Sequence, residues 1–318
     1  YLHLLKLLTS GAGMLMLEST AVSKSAKISH SDLCLSNKIQ KEKFKNLISF
    51  LKSFEKNIPI CLQISHAGRK GSSNIPWIKA NQALNKQNQS WQTYSASKIK
   101  KDKNWPIPLS LNKKQIKKIT KNFVNTARYA KQSGFDGLEV HMAHGYLLHQ
   151  FLSPISNKRN DEYGGNLKNR CRLAFDISRK IRKFWPKNKI LGARITGLDH
   201  VKNGIKIQDS IFLTKELKKI GFDYVCVSSG GILTKTGLKF YKGFRLKIAS
   251  EIKKKTGILT RTSGMMEDLD FSNKAIKENK VDLVAIGRSF IKDPNFIFKY
   301  AKKTNKNYLL HNQYKRCF

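Results

Sequence analysis

The stretch Glu139–Pro154, EVHMAHGYLLHQFLSP, sets two histidines three residues apart, with Tyr146 two positions further on, where a short apolar run ends. Two imidazoles and a phenol at one strand end admit three readings: metal ligands, a buried structural pair, or a clamp of donors around a substrate oxygen. The His-x-x-His spacing of His141 and His144 carries neither the third ligand nor the glutamate of a zinc-binding helix, so the metal reading is the weakest. Polar residues close other apolar runs as well: Ser19, Gln63 with His66, Arg194, Ser228, Ser263 with Gly264, and Gly287 with Arg288. Glycines after the last two runs expose backbone N–H groups, and Arg288 adds a fixed guanidinium fork, a combination suited to phosphate. A phosphate-bearing cofactor is therefore expected. Lys70, in the string AGRK, either lines the same pocket or is a solvated lysine.

Bringing these residues together requires a scaffold whose strand ends converge. The apolar runs are Met14–Glu18, Pro59–Ile64, Gly137–Met142, Ile190–Ile195, Tyr224–Val227, Ile258–Arg261 and Leu283–Ile286, most of them separated by segments of helical spacing. Ile116, Ile119, Phe123, Ala127 and Ala130 form one apolar stripe, entered through an Asn112/Gln115 capping box and closed by Gly134. Leu173, Ile177, Ile181 and Trp185 form another, ended by Pro186. Further helices are expected near residues 2–8, 40–56, 208–220, 244–255 and 268–279. Alternating strands and helices predict an α/β protein with a parallel sheet, and the absence of a glycine fingerprint after an early strand argues against an open doubly wound fold. The expected fold is a TIM (β/α)8 barrel whose first strand lies before residue 1, with residues 1–318 forming a single domain. Such a barrel gathers its chemistry at the C-terminal strand ends.

Composition narrows the partners. Lys and Arg number 61 against 21 Asp and Glu, a net charge of +40. The lysines are dispersed, as in Asn112–Lys121 (NKKQIKKITK), and read as solvated helix faces and not as a stripe for nucleic acid. Cys34, Cys61, Cys171, Cys226 and Cys317 are odd in number and far apart, which fits neither a disulfide framework nor a metal ribbon. No apolar run approaches the roughly 18 residues of a membrane span, and the opening YLHLLKLL lacks the parts of a signal peptide. A cytoplasmic location is expected.

The strings CLQISHAGRK (Cys61–Lys70), GFDGLEVHMAHGYLLHQFLSPISNKRNDEYGGNLKNR (Gly134–Arg170), ARIT (Ala193–Thr196) and VDLVAIGRSFIKDP (Val281–Pro294) resemble the old yellow enzyme family of FMN-dependent ene-reductases. The likeness extends over essentially the whole chain, and within the family it is similar to the bacterial branch that ends in an aromatic-flanked arginine segment, here QYKRCF. The resemblance implies FMN as cofactor, NADPH or NADH as reductant, and an α,β-unsaturated carbonyl compound as substrate. It implies that Gln63 contacts the flavin's pyrimidine edge, that Arg194 lies near its N1 and O2, and that Ser19 contributes at its edge. Gly264, Gly287 and Arg288 are then the phosphate end of the cofactor site. His141 and His144 become the clamp on the substrate carbonyl, Tyr146 the acid that protonates the α-carbon, and Lys70 a pocket residue. A homodimer or higher homo-oligomer is implied, in which Arg316 reaches the neighbouring pocket; neither a membrane nor nucleic acid is expected as a partner. The segment Asn157–Arg170 is assigned to bracing the site, and the connection Ala67–Leu111, with Trp77, Trp91 and Trp105, to an ordered excursion over it. Two rival readings are a tRNA dihydrouridine synthase-like flavoenzyme, whose Asn-x-Gly-Cys-Pro-like loop the chain lacks, and an inactive or nucleic-acid-binding barrel remnant.

Overall fold

The computed structural model describes residues 1–306 and 312–317. Its first half contains α1 (Leu2–Leu8), β1 (Leu15–Ala21), α2 (Lys38–Phe54), β2 (Ile60–Ser65), α3 (Pro76–Lys79), β3 (Tyr94–Ser95), β4 (Leu109–Ser110), α4 (Lys113–Gln132), β5 (Gly137–Met142) and α5 (Leu147–Leu152). There follow α6 (Leu167–Arg182), β6 (Ile190–Thr196), α7 (Ile207–Ile220), β7 (Tyr224–Ser228), α8 (Leu246–Thr256), β8 (Leu259–Ser263), α9 (Leu269–Lys277), β9 (Leu283–Ala285), α10 (Arg288–Lys292) and α11 (Phe296–Lys303). All seven expected strands are present, and the helices fall within a few residues of the expected ranges.

The strands are parallel and run in the order β1-β2-β5-β6-β7-β8-β9, each beside its predecessor in the barrel sequence. This is the strand order of a (β/α)8 barrel through seven consecutive positions. The loop before β1 packs on α11, where a Cβ built at Gly11 would lie 2.9 Å from Ile297 Cγ2. Between Leu17 and Thr20 the pairing of β1 with β2 changes register, so Glu18 and Ser19 form a bulge that re-aims the strand end.

Local chemistry accounts for the helices. At the start of α4, Asn112 Oδ1 accepts the Gln115 N–H and Gln115 Oε1 accepts the Asn112 N–H, both at 2.9 Å. The stripe of Ile116, Ile119, Phe123, Ala127 and Ala130 is buried against the sheet, while Lys113, Lys114, Lys117, Lys118 and Lys121 face solvent. The excess positive charge on this helix is thus a solvated face, as expected. Asn166 caps α6 in the same manner, accepting from the Asn169 N–H.

The connection from residue 67 to residue 111 is ordered, and β3 and β4 pair within it. Arg159 ties it down, donating to the carbonyls of Ala96 (3.0 Å) and Leu111 (2.6 Å) while paired with Asp161. The bracing expected of the segment 157–170 is therefore real. Of its tryptophans, Trp105 is buried, whereas Trp77 is 82% exposed on the short α3. Its helix is only four residues long and buries none of them.

Candidate active site

His141 is the penultimate residue of β5, and the turn that follows carries His144 in a left-handed conformation (φ 57°), which folds the chain back over the strand end. The two imidazole centroids are 5.1 Å apart, and the Tyr146 ring lies 4.9 Å from His141. The tautomers follow from the hydrogen bonds. His141 Nδ1 accepts the Ala143 N–H (3.2 Å), so its proton is on Nε2, which donates to His144 Nδ1 at 3.3 Å; His144 Nε2 then donates to the Ser228 hydroxyl. His141 is buried and His144 half-buried, and desolvation, reinforced by the charge of Arg194, holds their basicity well below the ordinary histidine range. They are neutral donors near pH 7. Burial also pushes the Tyr146 phenol up to about 12, with a contribution from Asp32, so it stays protonated.

Behind this turn lies a support that sequence reasoning missed. His149 Nδ1 accepts the Gly145 N–H at 2.7 Å, which leaves Nε2 to pair with Asp199 at 3.0 Å, both side chains fully buried. Asp199 also accepts from the Ser153 hydroxyl and the Ile205 N–H, each at 2.8 Å. The turn bearing His144 and Tyr146 is thus anchored to α5 and to the loop after β6. The placement of His149 one turn into a helix, in the same string, was the only available signal.

Arg194 stands in register with His141 on the neighbouring strand. Its Nε atom is buried without a hydrogen-bond partner among the described residues, an unspent donor at the barrel mouth. Gln63 is buried on β2 and gives its amide N–H to Glu139 at 2.6 Å. Glu139, which the sequence reading left unassigned, also accepts from Tyr224 Oη (2.7 Å) and is paired with Arg261. A Cβ at Gly192 would sit 2.1 Å from Tyr224 Cε1, so only glycine admits this ring to the barrel interior. Glu139 could have been noticed from parity: it lies two residues before His141 and so on the same inward face.

An open cleft of about 950 Å³ runs along the ends of β8 and β9, lined by Arg245, Ser263, Gly264, Gly287 and Arg288 among others. Gly264 has φ 113°, and a Cβ there would lie 2.6 Å from Phe244 Cε1 and 3.2 Å from Arg245 Nη1. The cleft is therefore a cradle that a side chain would fill. Arg245, another residue not foreseen, donates to Ser229 (3.0 Å) and Ser263 (3.4 Å) and lies over the Phe244 ring. With Arg194 two strands away from β8 in the same sheet, these residues fit an elongated anionic cofactor such as FMN.

The remaining expected residues are placed as follows. Ser19 is half-buried in the β1 bulge. Lys70 is no solvated lysine, since its Nζ donates to the His144 carbonyl at 2.8 Å. Arg316 is exposed in a 3-10 turn, Asn312–Cys317, with no described contact to the pocket; Phe318 lies outside the described residues. Cys34, Cys61, Cys171 and Cys226 are buried free thiols, and burial pushes Cys61 and Cys171 up to about 12, which makes them unreactive.

A family model described as the NADH:flavin oxidoreductase / NADH oxidase family matches residues 8–307. The NADPH dehydrogenase of Clostridium acetobutylicum is 32% identical over 311 residues, spanning 97% of this chain and 86% of that protein. The NADPH dehydrogenase of Listeria monocytogenes is 31% identical over 318 residues, spanning 100% and 88% respectively. Among solved structures, the old yellow enzyme homologue from Zymomonas mobilis aligns with a TM-score of 0.77 at 21% identity, over 94% of this chain and 82% of that one. A 2-naphthoyl-CoA reductase complex aligns with a TM-score of 0.83 at 22% identity, over 95% of this chain but 46% of the other. At these identities the structural likeness speaks for the fold, a TIM barrel.

Proposed function

Because the chain belongs to the NADH:flavin oxidoreductase / NADH oxidase family, and is an NAD(P)H-dependent FMN oxidoreductase, we propose that it reduces the activated C=C bond of α,β-unsaturated carbonyl compounds. The observation that carries this reading is the constellation of two neutral imidazole donors and one protonated phenol at a single strand end.

Bound FMN supplies hydride chemistry, taking two electrons from NAD(P)H and passing them to carbon. Gln63, its amide nitrogen already committed to Glu139, keeps its carbonyl oxygen for a flavin N–H. Arg194 would put positive charge beside the reduced ring, Gly264, Gly287, Arg288 and the cleft they line would receive the phosphate, and Ser19 would contact the flavin edge. A substrate carbonyl oxygen accepts from His141 Nε2 and His144 Nε2, exchanging the His141–His144 and His144–Ser228 contacts for bonds to the developing oxyanion. That withdrawal of charge makes the β-carbon the hydride acceptor. Tyr146, neutral and adjacent to His141, donates its proton to the α-carbon.

The test is turnover of the FMN-loaded protein with NADPH and cyclohexenone, with product analysis. Saturated ketone formed in step with NADPH consumption is expected. NADPH oxidation with oxygen or quinones as the acceptor, and no reduction of any activated alkene, would sink this reading and leave only the flavin oxidoreductase.

A further inference from the structure

Lys70, to which the steps above assign no role, stands beside Tyr146, and Arg69 and Lys101 are close enough to act on its charge. Lys70 Nζ donates to the carbonyls of His144 (2.8 Å) and Gly231 (3.3 Å) and stands 5.2 Å from the Tyr146 ring centroid. Two of its three donors are thereby spent. Arg69, 1% exposed, donates to the Ile99 and Lys100 carbonyls and to Ile232, and so pins the stretch that delivers Lys101. Lys101 lies 3.9 Å over the Trp105 ring and reaches the Asn81 amide oxygen.

Among the described residues no carboxylate is ion-paired with this cluster, although Asp102 and Asp199 act on it at longer range. Asp32, which acts on Tyr146, is spent on the Ile28 and Ser29 N–H groups and the Ser29 hydroxyl. Asp102 accepts from the Lys103 N–H and bonds Thr234, and Asp199 is paired with His149. The other charged groups of the pocket, Arg194 and Arg245, are cations, and His141 and His144 are neutral. Among the described residues none of Arg69, Lys70 and Lys101 forms an ion pair. Burial and then the charges of Lys101 and Arg69 bring Lys70 down to about 7, and burial and Arg69 bring Lys101 to about 8, against the pull of Asp102. Like charges held together with a free donor regain that energy when an anionic oxygen group is seated among them.

We propose that Lys70 and Lys101, positioned by Arg69, form an anion subsite beside Tyr146, so that the pocket favours ligands carrying a carboxylate or phosphate close to the reacting group. The proposal deepens the reading above and takes from it the identity of the pocket. The anionic group belongs either to the alkene substrate or to the nicotinamide dinucleotide, since both approach the same face, and two arms of one experiment separate them. The oxidised FMN-loaded chain is titrated with trans-acetylacrylate and with its methyl ester, followed by the visible absorbance of the flavin, and the binding of NADPH and NADH is compared alongside.

At low salt the acid is expected to bind about tenfold more tightly than the ester, an advantage that shrinks in Lys101→Gln and at high ionic strength. If the nucleotide supplies the anion, acid and ester bind alike and it is the preference for NADPH that falls in Lys101→Gln. Equal binding within both pairs overturns the subsite, as does a preference that survives both Lys101→Gln and Lys70→Gln, with retained FMN absorbance reporting that the variants fold. An acid–ester gap in a protein that turns over no alkene would count against the ene-reduction reading and not against the subsite.

Discussion

Tyr146 and the histidine pair divide the proposed chemistry by protonation state. A phenol raised to about 12 by burial donates a proton only where an acceptor is being created, as at an α-carbon gaining negative charge. Tyr146→Phe is therefore expected to slow alkene reduction by about 10²–10⁴-fold and to leave flavin reduction by NADPH unchanged, which stopped-flow measurement of the two half-reactions separates. An equal loss in both would make Tyr146 a packing residue. His144→Ala removes one donor from the clamp and breaks the relay that orients His141. A loss of about 2–4 kcal/mol in kcat/KM for enones is expected, with FMN affinity little altered. A variant that instead fails to hold FMN would place His144 in the cofactor site.

Between elements, the strongest coupling runs through Glu139 on β5, which joins Gln63 on β2, Tyr224 on β7 and Arg261 on β8. Burial opposes the charge of Arg261, but the paired Glu139 carboxylate offsets it and the guanidinium stays ionised. The same network orients the Gln63 amide, so strand packing and the cofactor site share one carboxylate. Glu139→Gln leaves the Arg261 charge without its counterion in the barrel interior and is expected to cost about 3–5 kcal/mol of stability. Urea unfolding of the two proteins measures this. A change below about 1 kcal/mol would mean that water reaches the network and relieves it.

For the whole molecule, acid and charge act together. Burial lowers His66 to about 4 and holds His141 and His144 in the same direction from the ordinary value of 6.5. Above pH 6.5 both folded and unfolded states leave these rings neutral, and nothing is gained or lost. Below it the unfolded chain binds protons that the folded one refuses, so each group withdraws about 1.4 kcal/mol per pH unit, for His66 down to about pH 4. Acidification also adds charge to a chain already at +40, which repels itself when compact. Denaturation midpoints should thus fall steeply from pH 6.5 to 5, and less so at high ionic strength. A flat profile over that interval would show that these histidines are protonated in the folded state.

What the sequence by itself determined is what local rules encode. Apolar runs and 3.6-residue stripes placed all seven strands and the main helices, the Asn112/Gln115 capping box marked the start of α4, and the strand order put His141, Arg194, Gly264 and Gly287 at one end of the sheet. Tertiary structure decided the rest, because it depends on side chains that meet only after the sheet curls. The partners of Glu139 are 76, 85 and 122 residues away in sequence, and no periodicity relates such positions. Likewise Arg245 enters the cleft only because Gly264 has no side chain, and Lys70 leaves solvent only because the His144 carbonyl turns toward it. Of the three tryptophans read together as marking an ordered excursion, Trp105 is buried and Trp77 is exposed, a difference that residue type alone does not carry. Residue type and spacing reveal which groups could react; burial and the carbonyls and charges around them decide which are neutral, which are charged, and which remain unspent.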